Sequence, residues 1–559
     1  MAEPDVDPHP RRWAILPVLC LSVFLVVVDN TIVNVALPTL AGDLSASTSQ
    51  LQWIVDAYSL VFAGLLLAAG SLGDRVGRKG TMQVGLALFG LTSIAASLAG
   101  SAGQLIAARA VRGVGAALVF PATLAILTNV FTDPTERAKA IGAWSGVTGL
   151  AVALGPISGG WLLEHFSWGS IFLVNVPIVV LALLLGRVLV PSSRDDHAGR
   201  ADPIGVVLSI GAVGLLVWTV IEAPGYGWTS GPTIWGFVGA AVLMSGFVAW
   251  ELRRPDPMLD VSVFRNARFS AASGAVATAF FGLFGFIFLV TQYFQVVRGY
   301  DTLSAGVHTL PFAVTAGVVA PTAARLALWV GTKAVVSTGL FSMSAGFLLA
   351  STMGADTSYW TGVVPSMVLM AGGLGLVGAP ATEAIMGSLP PAKAGVGSAV
   401  NDTTREIGGT LGVAIVGSVF SSLYGPQIAD SLRELGAPPV AVDAARESVV
   451  AAAEVARRAP EAVRPTILDA ASDAFLHGMA AGCRVTALIT FIGGVVALLA
   501  LPSRAAMPDD DPDDADLLLS TDPEPPRPVD LRDLVPGPDP TVVRYVAVPQ
   551  GRYPIGFWS

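Results

Sequence analysis

Charge is scarce in this chain. Of its 559 residues only 13% are Asp, Glu, Lys or Arg, about half the share usual in a soluble globular domain. Lysine stands only at Lys79, Lys139, Lys333 and Lys393. Cysteine occurs twice, at Cys20 and Cys483, which leaves neither a disulfide framework nor metal-ligand spacing. No stretch has the GxxxxGK[ST] pattern of a phosphate-cradling loop. The N-terminal region does not read as a cleavable signal, because Trp13–Leu37 is too long and ends in polar chemistry. What fills the chain instead is apolar: 53% hydrophobic residues and 61 glycines.

Long apolar runs recur, among them Leu16–Val28, Val61–Ala69, Val179–Leu185 and Thr486–Leu501. A hydrocarbon core of roughly 30 Å needs about 20 apolar helical residues, so these runs predict an all-α membrane protein. Fourteen transmembrane helices are expected, near 13–37, 51–71, 81–99, 104–127, 140–162, 170–190, 203–222, 233–250, 269–296, 305–326, 334–353, 361–387, 398–420 and 480–501. With both termini cytoplasmic, the short inner segments hold Arg11, Arg12, Arg75, Arg78, Lys79, Arg137, Lys139, Arg187, Arg194, Arg200, Arg253, Arg254, Arg265, Arg268, Arg325, Lys333 and Lys393. The short outer loops hold only Arg298. That asymmetry is the positive-inside bias, and one missed span would scramble it. Residues 421–479 are expected outside, with Val440–Val455 helical. Residues 505–559 are acidic and Pro-rich, carry much of the acid behind the net charge of −9, and read as a disordered cytoplasmic tail.

Polar chemistry inside the spans is costly and therefore informative. The turn after the second span carries Gly70, Gly73, Asp74, Arg75, Gly77, Arg78 and Lys79. Its glycines permit a tight turn, and Asp74 can engage helix N-termini or neighbouring arginines. An ordinary basic inner loop explains the cations but not the flanked acid. In the fourth span Arg109, Arg112 and Gly113 share one face; Arg112 either lines the interior or snorkels to an interface. In the fifth, Gly142, Gly146, Gly149, Ala153, Pro156 and Gly160 fall within an arc of about 80°, with Gly155 and Gly159 beside them. Such a stripe lets another helix approach closely.

The first span ends Asp29, Asn30, Thr31, Asn34, Pro38. Asp29 lies inside the bilayer, where desolvation favours a protonated carboxyl; it is a candidate either for proton exchange or for pairing with Arg109. Asp56 in the second span lies towards the outer mouth between Trp53 and Tyr58. It is either a solvated acid or a cation site whose aromatic neighbours supply cation–π contacts. In the thirteenth span Asn401, Arg405, Gly408 and Gly412 form a stripe beside Asp402 and Glu406. Those acids either neutralise Arg405 locally or line an inner cavity.

The Gly73–Lys79 turn resembles the signature of the major facilitator superfamily. The Asp29–Pro38 run looks like that of its fourteen-helix drug:proton antiporters, the EmrB/QacA branch, and the acid at Asp56 is similar to the quaternary-ammonium exporters. Gln295 to Pro311, Gly372–Pro380 and Gly395 to Gly412 fit the same pattern, so the resemblance spans about residues 13–501. Departures are Arg112, where the family usually has Gln, and Trp168-Gly169-Ser170, where it commonly has Trp-Arg-Trp.

The resemblance implies a six-helix bundle at 13–190 after a cytoplasmic segment 1–12, two inserted helices at 203–250, and a second bundle at 269–501. It implies a monomeric proton-coupled antiporter, without cofactor, metal or nucleic acid, that exports small amphipathic and cationic compounds across a bacterial cytoplasmic membrane. Asp29 and Arg109 would couple the proton. Asp29, Asn34, Trp53, Asp56, Tyr58, Arg112, Asp402 and Glu406 would meet substrate. Gly73, Asp74, Arg75, Gly77, Arg78, Gly146, Gly155, Pro156, Gly159 and Gly160 would serve conformational gating. The Gly155-Pro156 motif typifies exporters and argues against an uptake symporter; an endogenous natural product is the alternative cargo.

Overall fold

A computed structural model describes residues 11–194, 202–255, 257–389 and 394–502 of the chain. The acidic tail expected at 505–559 lies outside the described residues, as do Arg200 and Lys393. Eighteen α-helices and no strand are found among the described residues. They are α1 (Arg12–Asp43), α2 (Thr48–Val76), α3 (Arg78–Ser97), α4 (Ala102–Val130), α5 (Pro134–His165), α6 (Ser170–Leu173), α7 (Asn175–Leu189), α8 (Pro203–Tyr226) and α9 (Gly231–Glu251). The chain continues with α10 (Ala267–Gln292), α11 (Thr302–Val307), α12 (Leu310–Val330), α13 (Thr332–Ala350), α14 (Val364–Met386), α15 (Ala394–Glu434), α16 (Pro439–Glu447), α17 (Val449–Arg458) and α18 (Arg464–Ala500). Twelve helical segments are long and apolar enough to cross a membrane, or thirteen if α2, bent by 53° between Leu66 and Ala68, is one span. α5 is a further 32-residue helix.

Large apolar side chains such as Leu91, Leu98, Val207 and Trp329 stay exposed on the outer surface, as a lipid-facing surface requires. The helices pack in a repeated pattern. In the first half α1 packs on α5, α4 lies between α2 and α3, and α3 meets α7. In the second, α10 packs on α15, α14 lies between α12 and α13, and α13 meets α18. Tight turns repeat as well. Gly77 (φ +120°) joins α2 to α3 and Gly331 (φ +90°) joins α12 to α13, a backbone region that only glycine enters without strain.

The two halves touch near the end where α1 stops and α2 begins. There the Gln52 side-chain amide donates to the carbonyls of Val413 (3.3 Å) and Ala414 (3.0 Å), and Gln295 donates to Val35 O at 2.8 Å. Thr302 Oγ1 donates to Gly160 O at 3.1 Å. At the same end Thr48 Oγ1 donates to Glu447 O at 2.8 Å and Gly42 faces Val450, so the α16–α17 hairpin bears on the α1–α2 corner.

Two expectations change. About half of the 421–479 segment is a continuation of α15 to Glu434 and an early start of α18 at Arg464. The helix expected over Val440–Val455 is two helices, broken at Ser448, whose extended backbone (φ −165°) and side-chain oxygen cap α17.

Candidate functional site

Four helices of the first half each send a polar group to one buried point. From α1 comes Asp29, from α4 Arg109 and Arg112, from α2 Tyr58, and from α7 Asn175; none exceeds 1% exposure. Arg109 Nη1 donates to Asp29 Oδ2 at 2.9 Å, and its Nε donates to Ile54 O at 2.8 Å. Arg112 Nη1 lies 3.0 Å from Asp29 Oδ1, and Asn175 Nδ2 donates to the same oxygen at 3.1 Å. The Arg109 guanidinium sits 4.5 Å from the Tyr58 ring centroid, while the Tyr58 hydroxyl donates to Val26 O. Arg112 Nη2 donates to Ser93 Oγ at 2.6 Å and stacks over Phe89 (4.4 Å) and Phe172 (5.1 Å).

The local sequence explains how α4 reaches in. Arginines three residues apart share a helix face, and Gly113 permits contact: a Cβ there would lie 2.6 Å from Tyr58 O. Arg112 therefore does not snorkel; it shares Asp29 with Arg109. Its partner Ser93, and Asn175 on Asp29, were not among the expected site residues. The signal for them is faint, a lone Asn175 in the apolar run Ile171–Val180 and a Ser93 among small residues. Below the cluster an aromatic string runs Tyr58, Phe62, Phe120, Trp144, with ring centroids 5.9, 5.8 and 5.2 Å apart; it too escaped sequence reading.

Asp56 is not a solvated acid. It is 0% exposed, and neither carboxylate oxygen has a hydrogen-bond partner among the described residues. It lies one helical turn from Gln52, which bonds α15, so the same face turns Asp56 towards α15. On α15 the Asp402–Arg405 contact is loose at 3.8 Å. Arg405 instead donates to Thr382 Oγ1 at 3.0 Å and lies 5.3 Å from the Phe280 ring. Glu406 Oε2 has no partner. Asn34 is buried but bonds its own helix at Asn30 O, and Trp53 packs beside Leu60, Val217 and Ala414.

The expected gating residues divide. Asp74 pairs at 2.7 Å with Arg78 of its own turn, not with a distant helix end. Arg78 N then donates to Ser193 O and Lys79 to Arg187 O, tying the turn beyond Gly73 and Gly77 to the end of α7; Arg75 is exposed. On α5, Gly155 abuts Thr31 and Gly159 abuts Ile32 of α1. A Cβ on Gly160 would lie 2.5 Å from Thr302 O, and one on Gly306 would lie 2.5 Å from Pro156 O. Gly142 and Gly146 meet nothing within 4 Å, so among the described glycines of the stripe close helix contact is made at the Gly155–Gly160 end of α5. Positions 149 and 153 lie outside the residues whose surroundings are described.

Residues 19–413 match the Major Facilitator Superfamily. The multidrug efflux pump LfrA of Mycolicibacterium smegmatis is 38% identical over 87% of this chain and 95% of its own length. The tetracenomycin C resistance and export protein of Streptomyces glaucescens is 34% identical, with 89% and 93% covered. The methyl viologen resistance protein SmvA of Salmonella typhimurium is 34% identical, with 88% and 99% covered. A crystal structure of a bacterial homologue of the human lysosomal transporter Spinster superposes with a TM-score of 0.61 at 17% identity, covering 89% of this chain and 99% of that one. The chain belongs to the major facilitator superfamily and is a multi-pass transport protein of the bacterial cell membrane.

Proposed function

We propose that this transporter exports small amphipathic, cationic drug-like compounds in exchange for protons. The observation that carries the reading is buried charge in two places: the group of Asp29, Arg109 and Arg112, and an equally buried Asp56 with no hydrogen-bond partner among the described residues. Several kcal/mol are lost on taking each charge out of water, so intramembrane charge is retained for ion or substrate pathways. Asp29 takes the coupling proton, which loosens its pair with Arg109. Asp56, with Trp53 on the same side of α2, meets the cation with Glu406 and Asp402 across the α2–α15 face, while Tyr58 stays with Arg109. Relatives named for multidrug, methyl viologen and antibiotic resistance support cargo of this class.

Fourteen spans with both termini cytoplasmic fit this reading. They comprise the twelve helices, the bent α2 and the 32-residue α5, and the basic loops then fall on one side. Residues 13–190 and 269–501 form the two bundles, 203–250 the inserted pair, and one chain suffices for transport. With that orientation the contacts at Gly160, Gln52 and Gln295 close the outer end, an inward-facing state. Rocking the halves about the site would part the Gly155–Gly160 seam from α11, while the Asp74–Arg78 turn keeps α2, α3 and α7 moving together. An endogenous natural product is the second reading, favoured by the relative named for tetracenomycin C export.

Everted vesicles containing the protein and energised to an acidic interior test the proposal. Addition of ethidium or a quaternary ammonium compound should release the gradient. Silence towards every cationic compound, with a response to a neutral or anionic metabolite, would overturn the cationic cargo.

A further inference from the structure

Asp29 has more counter-charge than it needs. One carboxylate faces two guanidiniums, at 2.9 Å from Arg109 and 3.0 Å from Arg112, and all three side chains are 0% exposed. With Asp29 ionised the group carries a net charge of about +1, and with Asp29 protonated about +2, in surroundings that screen poorly. Among the described residues Arg112 has no other carboxylate to serve: its remaining contacts are the Ser93 hydroxyl and the faces of Phe89 and Phe172. Ser93 in turn donates to Phe89 O at 2.6 Å, which leaves its oxygen lone pairs to hold Arg112 in place. Around Asp29, α4 contributes Arg109 and Arg112, α7 contributes Asn175, and α2 contributes Tyr58 beneath Arg109. Among the described residues, α5 turns Gly155 and Gly159 to the Thr31–Ile32 stretch of α1, and its acid against α1, Glu136, is paired with Arg12 at the start of that helix.

We propose that Arg112 is a positioning residue that sets the proton concentration at which Asp29 accepts the coupling proton. The inference rests on the reading that Asp29 carries that proton. Arg109 alone neutralises Asp29; Arg112 is a second cation, rigidly held, that every incoming proton must work against. It therefore delays loading until the surrounding solution is more acidic. It also leaves the group net positive, which turns a cationic cargo away from Asp29 and towards Asp56.

The test is the pH profile of ethidium-driven proton exchange by the full chain in proteoliposomes, for the natural protein, R112Q, R112K and S93A. R112Q should move the half-maximum by about one pH unit or more towards alkaline pH, roughly tenfold in proton concentration. R112K, which keeps the charge, should stay close to the natural profile. S93A, which frees the Arg112 side chain without removing it, should move the same way by less, and it carries the test if R112Q does not fold. Natural profiles for both R112Q and S93A would overturn the proposal. Infrared titration of the purified proteins separates this from the coupling reading. The protonated-carboxyl band that D29N lacks should appear at higher pH in R112Q than in the natural protein, whether or not Asp29 couples transport. Appearance at the same pH overturns the role of Arg112, whereas coupled exchange by D29N overturns the role of Asp29.

Discussion

The Arg109 guanidinium meets the Asp29 carboxylate at 2.9 Å with neither side chain exposed. Removing one partner of such a pair strands the other in a medium that cannot solvate it, at a cost of about 3–5 kcal/mol. Asp29→Asn strands both Arg109 and Arg112, whereas Arg109→Gln leaves Asp29 its contact with Arg112. Thermal unfolding in detergent should therefore show a larger loss for Asp29→Asn than for Arg109→Gln. Equal losses would mean that Arg112 does not share the charge.

Asp56 presents the opposite case. Because its buried oxygens have no partner, Asp56→Asn breaks no hydrogen bond and should leave the melting temperature unchanged or raise it. Cation binding should weaken by roughly ten- to a hundredfold, the equivalent of about 1.5–3 kcal/mol for a contact to a charged group. Tetraphenylphosphonium binding to the purified protein reads both outcomes on one sample. A stability loss with unchanged binding would make Asp56 a structural acid.

The α5 glycines differ in what they touch, and so should their substitutions. At Gly160 any side chain meets the backbone of Thr302 and Leu303, and overpacking of this kind costs about 1–3 kcal/mol. Gly160→Leu should widen the distance between spin labels on α5 and α11 and reduce export, with insertion retained. Gly142→Ala and Gly146→Ala enter open space and should leave both readouts alone.

The membrane helices were legible in the sequence because bilayer spans must be long and apolar, and their ends carry the charge asymmetry. Helix ends fell within a few residues of expectation for most spans, α7 and α9 among them. The overhangs of α15 and α18 were not legible, since Ala-rich charged segments continue a helix without any hydropathy signal. Nor was the break at Ser448, which depends on the hairpin folding back onto the α1–α2 corner. At the site, the Asp29–Arg109 pair was visible through residue type, depth and motif. The sharing of Asp29 with Arg112 and Asn175, and the hold of Ser93 on Arg112, depend on how four helices are rotated about their axes, which no single periodicity encodes. The solvated reading of Asp56 failed for a similar reason: Asp56 is 0% exposed, on a face of α2 that Gln52, one turn away, holds against α15.

The α16–α17 hairpin bears on the closed end through the Thr48–Glu447 hydrogen bond. Thr48→Val should weaken that closure by about 0.5–1.5 kcal/mol. Spin-label distances between the α1–α2 corner and α17 should broaden, while the distances at the opposite end of the bundles stay as they were. An unchanged distribution at the corner would remove the hairpin from the closure.

Uptake into proteoliposomes tests the central claim most directly. With the purified chain reconstituted and an acidic lumen imposed, the natural protein should accumulate radiolabelled methyltriphenylphosphonium above its equilibrium level as the lumen loses protons. A proton carrier should abolish the accumulation, and Asp29→Asn should not support it. Accumulation by Asp29→Asn at the natural rate, or accumulation by the natural protein that survives the proton carrier, would contradict proton-for-cation exchange through this site.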